Sequence, residues 1–377
     1  VTVAQHTYSA ALVAGGVTYP LTLKAGTVTM DDGRAPHVSA RLTVPTSTAA
    51  LQELIDPRTA ARVLVTASVS YAAFNTDPPP ATARTFDLHL RARDIAHNNR
   101  ETTLELASDE ALLIDDVLRA HFPSTGGQTR AASLRNIVEW ILARIGATLQ
   151  SGRGDYDFSA ADPESLLWEP GTSAWDYLEP LLRAAALRLF CDDRRRWHLV
   201  DDSYVIDDLL EVIAGVNITD ATDTLSRDTE DWYDAALFRY SWTDAAGESH
   251  VVYDYAERPG ATRTRTFEVE RPYPGAGAAD YALQRATGKG RAITLTALSD
   301  YSTQPTRLIF ATFPDRPLQT GFVASVTWDI TSDEMSVTTR GLGDTPPNAW
   351  ILAPLGYRWL DSPLGASWAE YLTPEED

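Results

Sequence analysis

The sequence predicts an α+β chain, mainly β, with two small β-barrel domains, an intervening α/β domain and an extended C-terminal segment. Three observations predict it. Short runs of alternating apolar and polar residues, bounded by Gly, Pro, Asn and Asp, fill the first hundred residues and return from about 213 to 342. Between them the apolar spacing changes to a helical period. The last 35 residues follow neither rule and carry regularly spaced tryptophans. A length of 377 residues suits two or three domains. The boundaries are placed at 1–107, 108–212, 213–342 and 343–377.

In the first domain, Thr7 to Val13 and Val17 to Leu23 flank Gly15-Gly16, a hairpin signal. His37 to Val44 is a further strand, and a short helix over Thr48 to Ile55 closes at Asp56-Pro57. Ala61 to Phe74 is strand-like. Phe86, Leu88, Leu90 and Ala92 alternate with polar residues, and Thr102 to Leu106 resumes the pattern after His97-Asn98-Asn99. Alternation specifies one buried face, because a slip of one residue inverts every side chain.

In the middle domain, Ser108 reads as the N-cap of a helix through Leu118. A second helix spans about Ala132 to Ile145, with Leu134, Ile137, Val138, Ile141 and Ile145 on one stripe. A third starts at Ser173, with Asp176 three positions on in the place of a capping box, and Pro180 should kink or divide it. A compact hairpin follows: Leu187 to Cys191, a turn at Asp192 to Arg195, then Trp197 to Val200. In the second β region, Ala235 to Trp242 turns at Ala246-Gly247 into His250 to Tyr255. A helix covers Ala278 to Thr287. Strands follow at Arg291 to Ala297, Thr306 to Ala311, Ala324 to Ile330 and Met335 to Thr339.

Composition narrows the function. The formal net charge is −20, which argues against a general nucleic-acid binder with a basic footprint. It does not argue against a protein past which DNA slides. Lys24 and Lys289 are the two lysines, and all other basic residues are arginine. Cys191 is the single cysteine, so neither an intrachain disulfide nor a Cys-rich zinc site can form. No basic segment leads into an apolar one near the start, and no apolar run is long enough to span a membrane. The most apolar helix, around Leu181 to Phe190, is interrupted by Arg183 and Arg188.

Signatures of catalysis are sparse. There is no H-E-x-x-H, G-x-S-x-G or S-x-x-K. His89 and His97 are eight residues apart across a turn and read as unrelated. Gly275-Ala-Gly277-Ala-Ala-Asp280 partly matches a dinucleotide fingerprint, but Asp280 replaces the third glycine and would repel a pyrophosphate. Thr287-Gly288-Lys289-Gly290 lacks the glycine and hydroxyl partners of a phosphate loop. From Asp192 to Asp234 thirteen acids face four arginines, a net −9 in 43 residues. Within that run Asp228, Glu230, Asp231 and Asp234 surround Trp232-Tyr233. They read as an acidic linker into the second barrel, as a carboxylate pair for glycoside hydrolysis, or as a calcium site, although the EF-hand pattern and its turn glycine are missing. P-L-G-x-x-W occurs at 354–359 and again at 363–368, and Trp350, Trp359 and Trp368 are nine residues apart. These three pin the segment to the chain's own barrels, anchor a neighbouring protein, or form a carbohydrate platform.

Several segments together carry a resemblance. They are Leu54-Ile-Asp-Pro-Arg58 before Ala61-Arg-Val63, and Ser133-Leu134-Arg-Asn-Ile137-Val138 opening a helix that ends near Gly146. Gly171-Thr-Ser-Ala-Trp175-Asp176-Tyr-Leu178 then leads into the 187–200 hairpin, and Phe322 to Trp328 with Met335 to Thr339 closes the second barrel. Over residues 1 to 342 the chain resembles the baseplate hub and minor tail proteins of tailed bacteriophages, including the late-control hubs of contractile phages and the tail-tip hubs of long-tailed actinobacterial phages. The S-x-W segment with its hairpin is the most specific part.

The resemblance implies two similar barrels per subunit and a homotrimer with a pseudo-sixfold ring. Such a ring adapts the sixfold tail tube to a threefold tip and lines the DNA exit channel. The implied partners are the distal tail protein, the tape-measure protein and tip or receptor-binding proteins, in a virion tail tip assembled in the host cytoplasm. It implies no enzyme, cofactor or metal, and contact with DNA only in transit. No inserted lysozyme or peptidase domain is seen, and the Trp-rich segment after 342 departs from the pattern. Asp228, Glu230, Asp231 and Asp234 then become candidates for an acidic channel or junction, and Trp350, Trp359 and Trp368 for partner docking. Two alternatives stand beside this reading: a tail-associated cell-wall glycoside hydrolase using carboxylates at 228–234, and a receptor-binding module using the aromatics.

Overall fold

A computed structural model describes residues 2–345 and 349, apart from 47, 74–80, 120–127, 130–132, 151–162, 202, 226–231, 287–290 and 315. The chain begins with β1 (Thr2–Ala14) and β2 (Val17–Leu21), paired through Ala14 and Val17. The turn between them needs positive φ at both residues, and Gly15 and Gly16 supply it at 57° and 80°. There follow β3 (Ala25–Asp31), β4 (Val38–Pro45), α1 (Ala49–Leu54), β5 (Arg62–Ala73), β6 (Thr82–Ala96) and β7 (Glu101–Ala107). The middle region holds α2 (Glu110–Asp115), β8 (Gln128–Thr129), α3 (Leu134–Arg144), β9 (Leu167–Trp168), α4 (Ala174–Ala184), β10 (Arg188–Cys191) and β11 (Trp197–Val200). The remainder holds β12 (Ile206–Ile213), β13 (Ile218–Leu225), β14 (Ala235–Thr243), β15 (Ser249–Glu257), β16 (Thr264–Val269), α5 (Ala278–Ala286), β17 (Arg291–Leu298), β18 (Arg307–Thr312), β19 (Gln319–Asp329) and β20 (Glu334–Asp344).

The fold is mainly β, as expected, but the two barrel-like regions share one sheet. Thirteen strands join in the order β13-β17-β20-β19-β3-β4-β7-β6-β5-β1-β2, with β18 branching from β19 and β12 pairing β18 in parallel. Among the described residues no ladder joins the two ends, so neither expected barrel is seen closed. The cause lies in β19. Its first part pairs β18 through Gln319 to Phe322, and its second part, Ser325 to Asp329, pairs β3. Register shifts on its β20 side fall at Thr320/Phe322 and Val323/Ser325, and bulges of this kind let a strand change neighbours. Gly321 sits at the first shift. A Cβ there would stand 2.9 Å from the Leu342 Cα, so only glycine fits.

One hydrophobic core fills this sheet and draws on both regions, from Ala10 to Leu106 and from Leu210 to Leu342. Phe86 and Trp328 meet across it at 5.5 Å between ring centroids, and the Trp328 indole N–H donates to the Asp300 carbonyl. A second core joins α3, α4 and the β10–β11 hairpin, and a third lies between α5 and the sheet β15-β14-β16.

The middle helices follow the sequence closely at two starts. Ser133 caps α3 by accepting from the Asn136 amide. Ser173 caps α4 by accepting from the Asp176 amide, and its hydroxyl donates to the Asp176 carboxylate. The first helix is shorter than expected: α2 ends at Asp115, and the Ser108 hydroxyl bonds Val38 of β4 instead of capping it. Pro180 lies inside α4 without dividing it. It removes the N–H that would pair with the Asp176 carbonyl, and the Arg271 guanidinium donates to that carbonyl at 3.1 Å.

Much of the acidic stretch read as a linker is strand. In β12 Leu210 and Val212 point inward while Asp207, Asp208 and Glu211 face out. Strand β13 ends the sheet with Asp220 and Asp223 exposed. Charge on an edge strand discourages pairing with another chain.

Candidate functional site

The three cores meet around the β10–β11 hairpin. Asp32, 7% exposed, follows β3 and faces three guanidiniums from three other segments. Arg285 of α5 is 3.0 Å away, Arg340 of β20 is 3.3 Å away and Arg188 of β10 is 3.4 Å away. Burial alone would raise this carboxyl, but Arg285, Arg340 and Arg188 override it and hold it below the usual carboxylate range. A single ionised aspartate thus ties together all three hydrophobic units.

The hairpin turn adds a second set of contacts. The Asp193 carboxylate accepts from Arg84 of β6 at 2.8 Å, and Arg84 also donates to the Thr303 carbonyl and the Gln304 side chain. The Asp193 carbonyl accepts from the Asp87 amide. Asp109 is flanked by Arg195 at 2.9 Å and His89 at 3.2 Å. Asp192 closes the turn internally, accepting from the Arg194 and Arg196 amides and from the Arg196 guanidinium. These groups, with His198 3.1 Å from its carboxylate, overcome the effect of burial and hold its pKa far below the ordinary value.

Between these contacts Phe190 stacks on His198 at 5.0 Å and meets His37 at 4.8 Å, with Arg188 over its ring at 4.7 Å. Burial and the nearby Arg188 push His37 down to about 3, so it is neutral. Glu110 at the start of α2 is fully buried and accepts from the Cys191 amide at 2.7 Å. Burial raises its carboxyl to about 7.

These contacts hold parts together. His198 and Asp192 form a histidine–carboxylate pair, but the nearby thiol of Cys191 is buried, and burial drives its pKa far above neutrality. No group of three or more metal-ligating side chains occurs among the described residues. Among the described residues no helix is long and apolar enough to cross a membrane.

The residues singled out from the sequence fall elsewhere. Asp234 precedes β14, and both of its carboxylate oxygens are taken. Oδ1 accepts from the Arg263 amide, and Oδ2 accepts from the Thr262 amide and hydroxyl. Those bonds hold its pKa down, and its job is to fix the turn before β16. Asp228, Glu230 and Asp231 lie outside the described residues, as do Trp350, Trp359 and Trp368. His89 is buried at Asp109 while His97 sits in an exposed turn, so the structure does not bring them together. Of the glycines at 275 and 277, Gly277 serves packing. A Cβ on Gly277 would stand 2.3 Å from the Ala184 carbonyl, where α4 ends against the start of α5. The amides of Gly277 and Ala279 donate to the Asp254 carboxylate, which fills the anion position at that helix start.

Sequence reasoning missed Asp32, Arg84, Asp193, Arg285 and Arg340. One signal was present: Arg188 interrupts an otherwise apolar run, and a cation there needs a buried partner.

No protein-family model and no curated protein sequence matches the chain. Solved structures do. A tail protein from Neisseria meningitidis MC58 superimposes with a TM-score of 0.56 at 12% identity, over 88% of this chain and 96% of that one. The 43 kDa tail protein of prophage MuSo2 from Shewanella oneidensis gives 0.55 at 14% identity, over 88% and 98%. A prophage tail protein from Listeria monocytogenes EGD-e gives 0.51 at 11% identity, over 88% and 94%. None of these three hosts is an actinobacterium. The chain therefore shares its fold, nearly end to end, with these phage tail proteins.

Proposed function

We propose that the chain is a structural component of a bacteriophage tail, placed in the virion at the tail tip after assembly in the host cytoplasm. The observation that carries this reading is the end-to-end likeness to three tail proteins, which spans 88% of this chain and 96% and 98% of the first two. A fold alone does not fix function. The junction supports the reading independently, because its buried charges are spent on holding three units in one frame.

In its finer form the proposal is a hub. Three copies form a ring that adapts the sixfold tube to a threefold tip, with the distal tail, tape-measure and tip or receptor-binding proteins as neighbours. The support is architectural. The sheet runs from the strands of the N-terminal region into those of the C-terminal region through the β19–β3 pairing. In the proposal these two halves take equivalent places, so that three chains offer six edges around a threefold centre. The exposed acids of β12 and β13, with the overall charge of −20, suit a lumen that DNA traverses without sticking. The chain carries no catalysis in this reading, and Asp234, held on both oxygens, is unsuited to glycoside hydrolysis. Native mass measurement of the purified chain tests the ring. A species of three chains is expected as concentration rises, whereas monomer at every concentration and with every candidate neighbour added contradicts the trimer.

A further inference from the structure

A cavity of about 250 Å³ opens where the hairpin, α4, α5 and the β15-β14-β16 sheet meet. Its apolar wall is aromatic: Trp175, Phe190, Phe238 and Phe267 line it, and the last two rings stack at 4.4 Å. Its charged wall is basic. Arg34, Arg183, Arg188, Arg265 and Arg285 line it against Asp32 and Glu179. That excess of arginine is out of keeping with a chain of net charge −20. Arg34 and Arg183 stand at the solvent side, with side chains 52% and 41% exposed. The volume is below the roughly 300–1,000 Å³ of sites for drug-sized ligands, and one aromatic side chain fills it. Aromatic rings beside arginine are the residue types that dominate binding hot spots.

We propose that this cavity receives residues 368–377 of this chain, with the Trp368 indole on the aromatic wall and the acids of the segment toward the arginines. Charge complementarity selects this segment. Trp368 is followed by four acids, Glu370, Glu375, Glu376 and Asp377, and has no basic residue near it. By contrast, the single acid after Trp359, Asp361, is offset by the adjoining Arg358, and Trp350 has no neighbouring acid. Reach permits it. Arg340 already touches Asp32 in the cavity wall, β20 ends at Asp344, and the 24 residues from there to Trp368 would span roughly 27 Å as a random coil. The proposal stands apart from the tail-component reading, since a protein of any function could use such a socket.

The test places a photoreactive p-benzoylphenylalanine at Trp368 in the full chain, followed by irradiation and mapping of the crosslinked peptides by mass spectrometry. Crosslinks to the peptides bearing Trp175, Phe238 or Phe267 are expected. Their yield should fall at least tenfold in an Arg34→Glu/Arg183→Glu variant, whose exposed side chains leave the melting temperature nearly unchanged. The same group placed at Trp350 should not label the cavity. Crosslinks from 368 that map elsewhere, no crosslinks, or a yield indifferent to the arginine changes would overturn the proposal. Labelling of the cavity from position 231 but not from 368 would overturn it too, by assigning the socket to the acidic run at 228–231.

Discussion

Individual charges do the joining in this chain. Burying a carboxylate such as Asp32 costs several kcal/mol, of the order seen for single ions, and three arginines offset it. Glu110 shows the opposite balance. Its second oxygen has no hydrogen-bond partner in its buried position, and the carboxyl is raised to about 7. A group raised in this way binds its proton more tightly folded than unfolded. Its stabilising contribution is complete below the unfolded value of 4.5 and is lost as pH rises through about 7. Glu110→Gln keeps the neutral form at every pH. Between about pH 5 and 8 the parent should lose roughly 3 kcal/mol of unfolding free energy relative to the variant. Urea titrations at the two pH values measure this, and parallel curves would refute it. None of this was legible in the sequence, because Glu110 and Asp32 look like any surface acid until tertiary structure buries them.

Elements with a strong local signature were legible. The Gly15-Gly16 hairpin, the Ser173 cap of α4 and the β10–β11 hairpin were all read from residues close in the chain. Strand β3 was missed. Gly26 weakens the pattern, and the glycine is required by close approach, since a Cβ there would stand 2.8 Å from the Arg41 carbonyl. Strands β12 and β13 were hidden by their acids, which face solvent. The change of partner along β19 depends on contacts some three hundred residues apart, such as Trp328 with Val28, which no local pattern encodes. Close approach also governs the helices. Gly277 holds φ at 131° with the Ala184 carbonyl against it. Gly277→Ala should cost about 1–3 kcal/mol from backbone strain alone and lower the thermal midpoint clearly. Gly343→Ala, with open space around it and no such φ, should leave the midpoint nearly unchanged. Equal midpoints in both variants would contradict this account of α4–α5 packing.

For the whole molecule, the sequence suggested two barrels flanking a separate middle, and the structure has one long sheet with two further cores clamped to it by buried ion pairs. That architecture suits a part that transmits geometry without deforming, because several independent contacts would have to break before one core moved against another. The tail reading gains from this. The acidic run changes meaning as well: its described part is strand and turn, with Asp234 a turn-holding residue, and the exposed acids of β12 and β13 are the ones the proposal assigns to the lumen. The most direct measurement is electron microscopy of particles made by a phage in which the gene encoding this chain is deleted, with the gene supplied in trans as control. The account predicts heads without complete tails, or tails lacking a tip, with normal tails restored by the supplied gene. Complete, infectious tails in the deletion would contradict it.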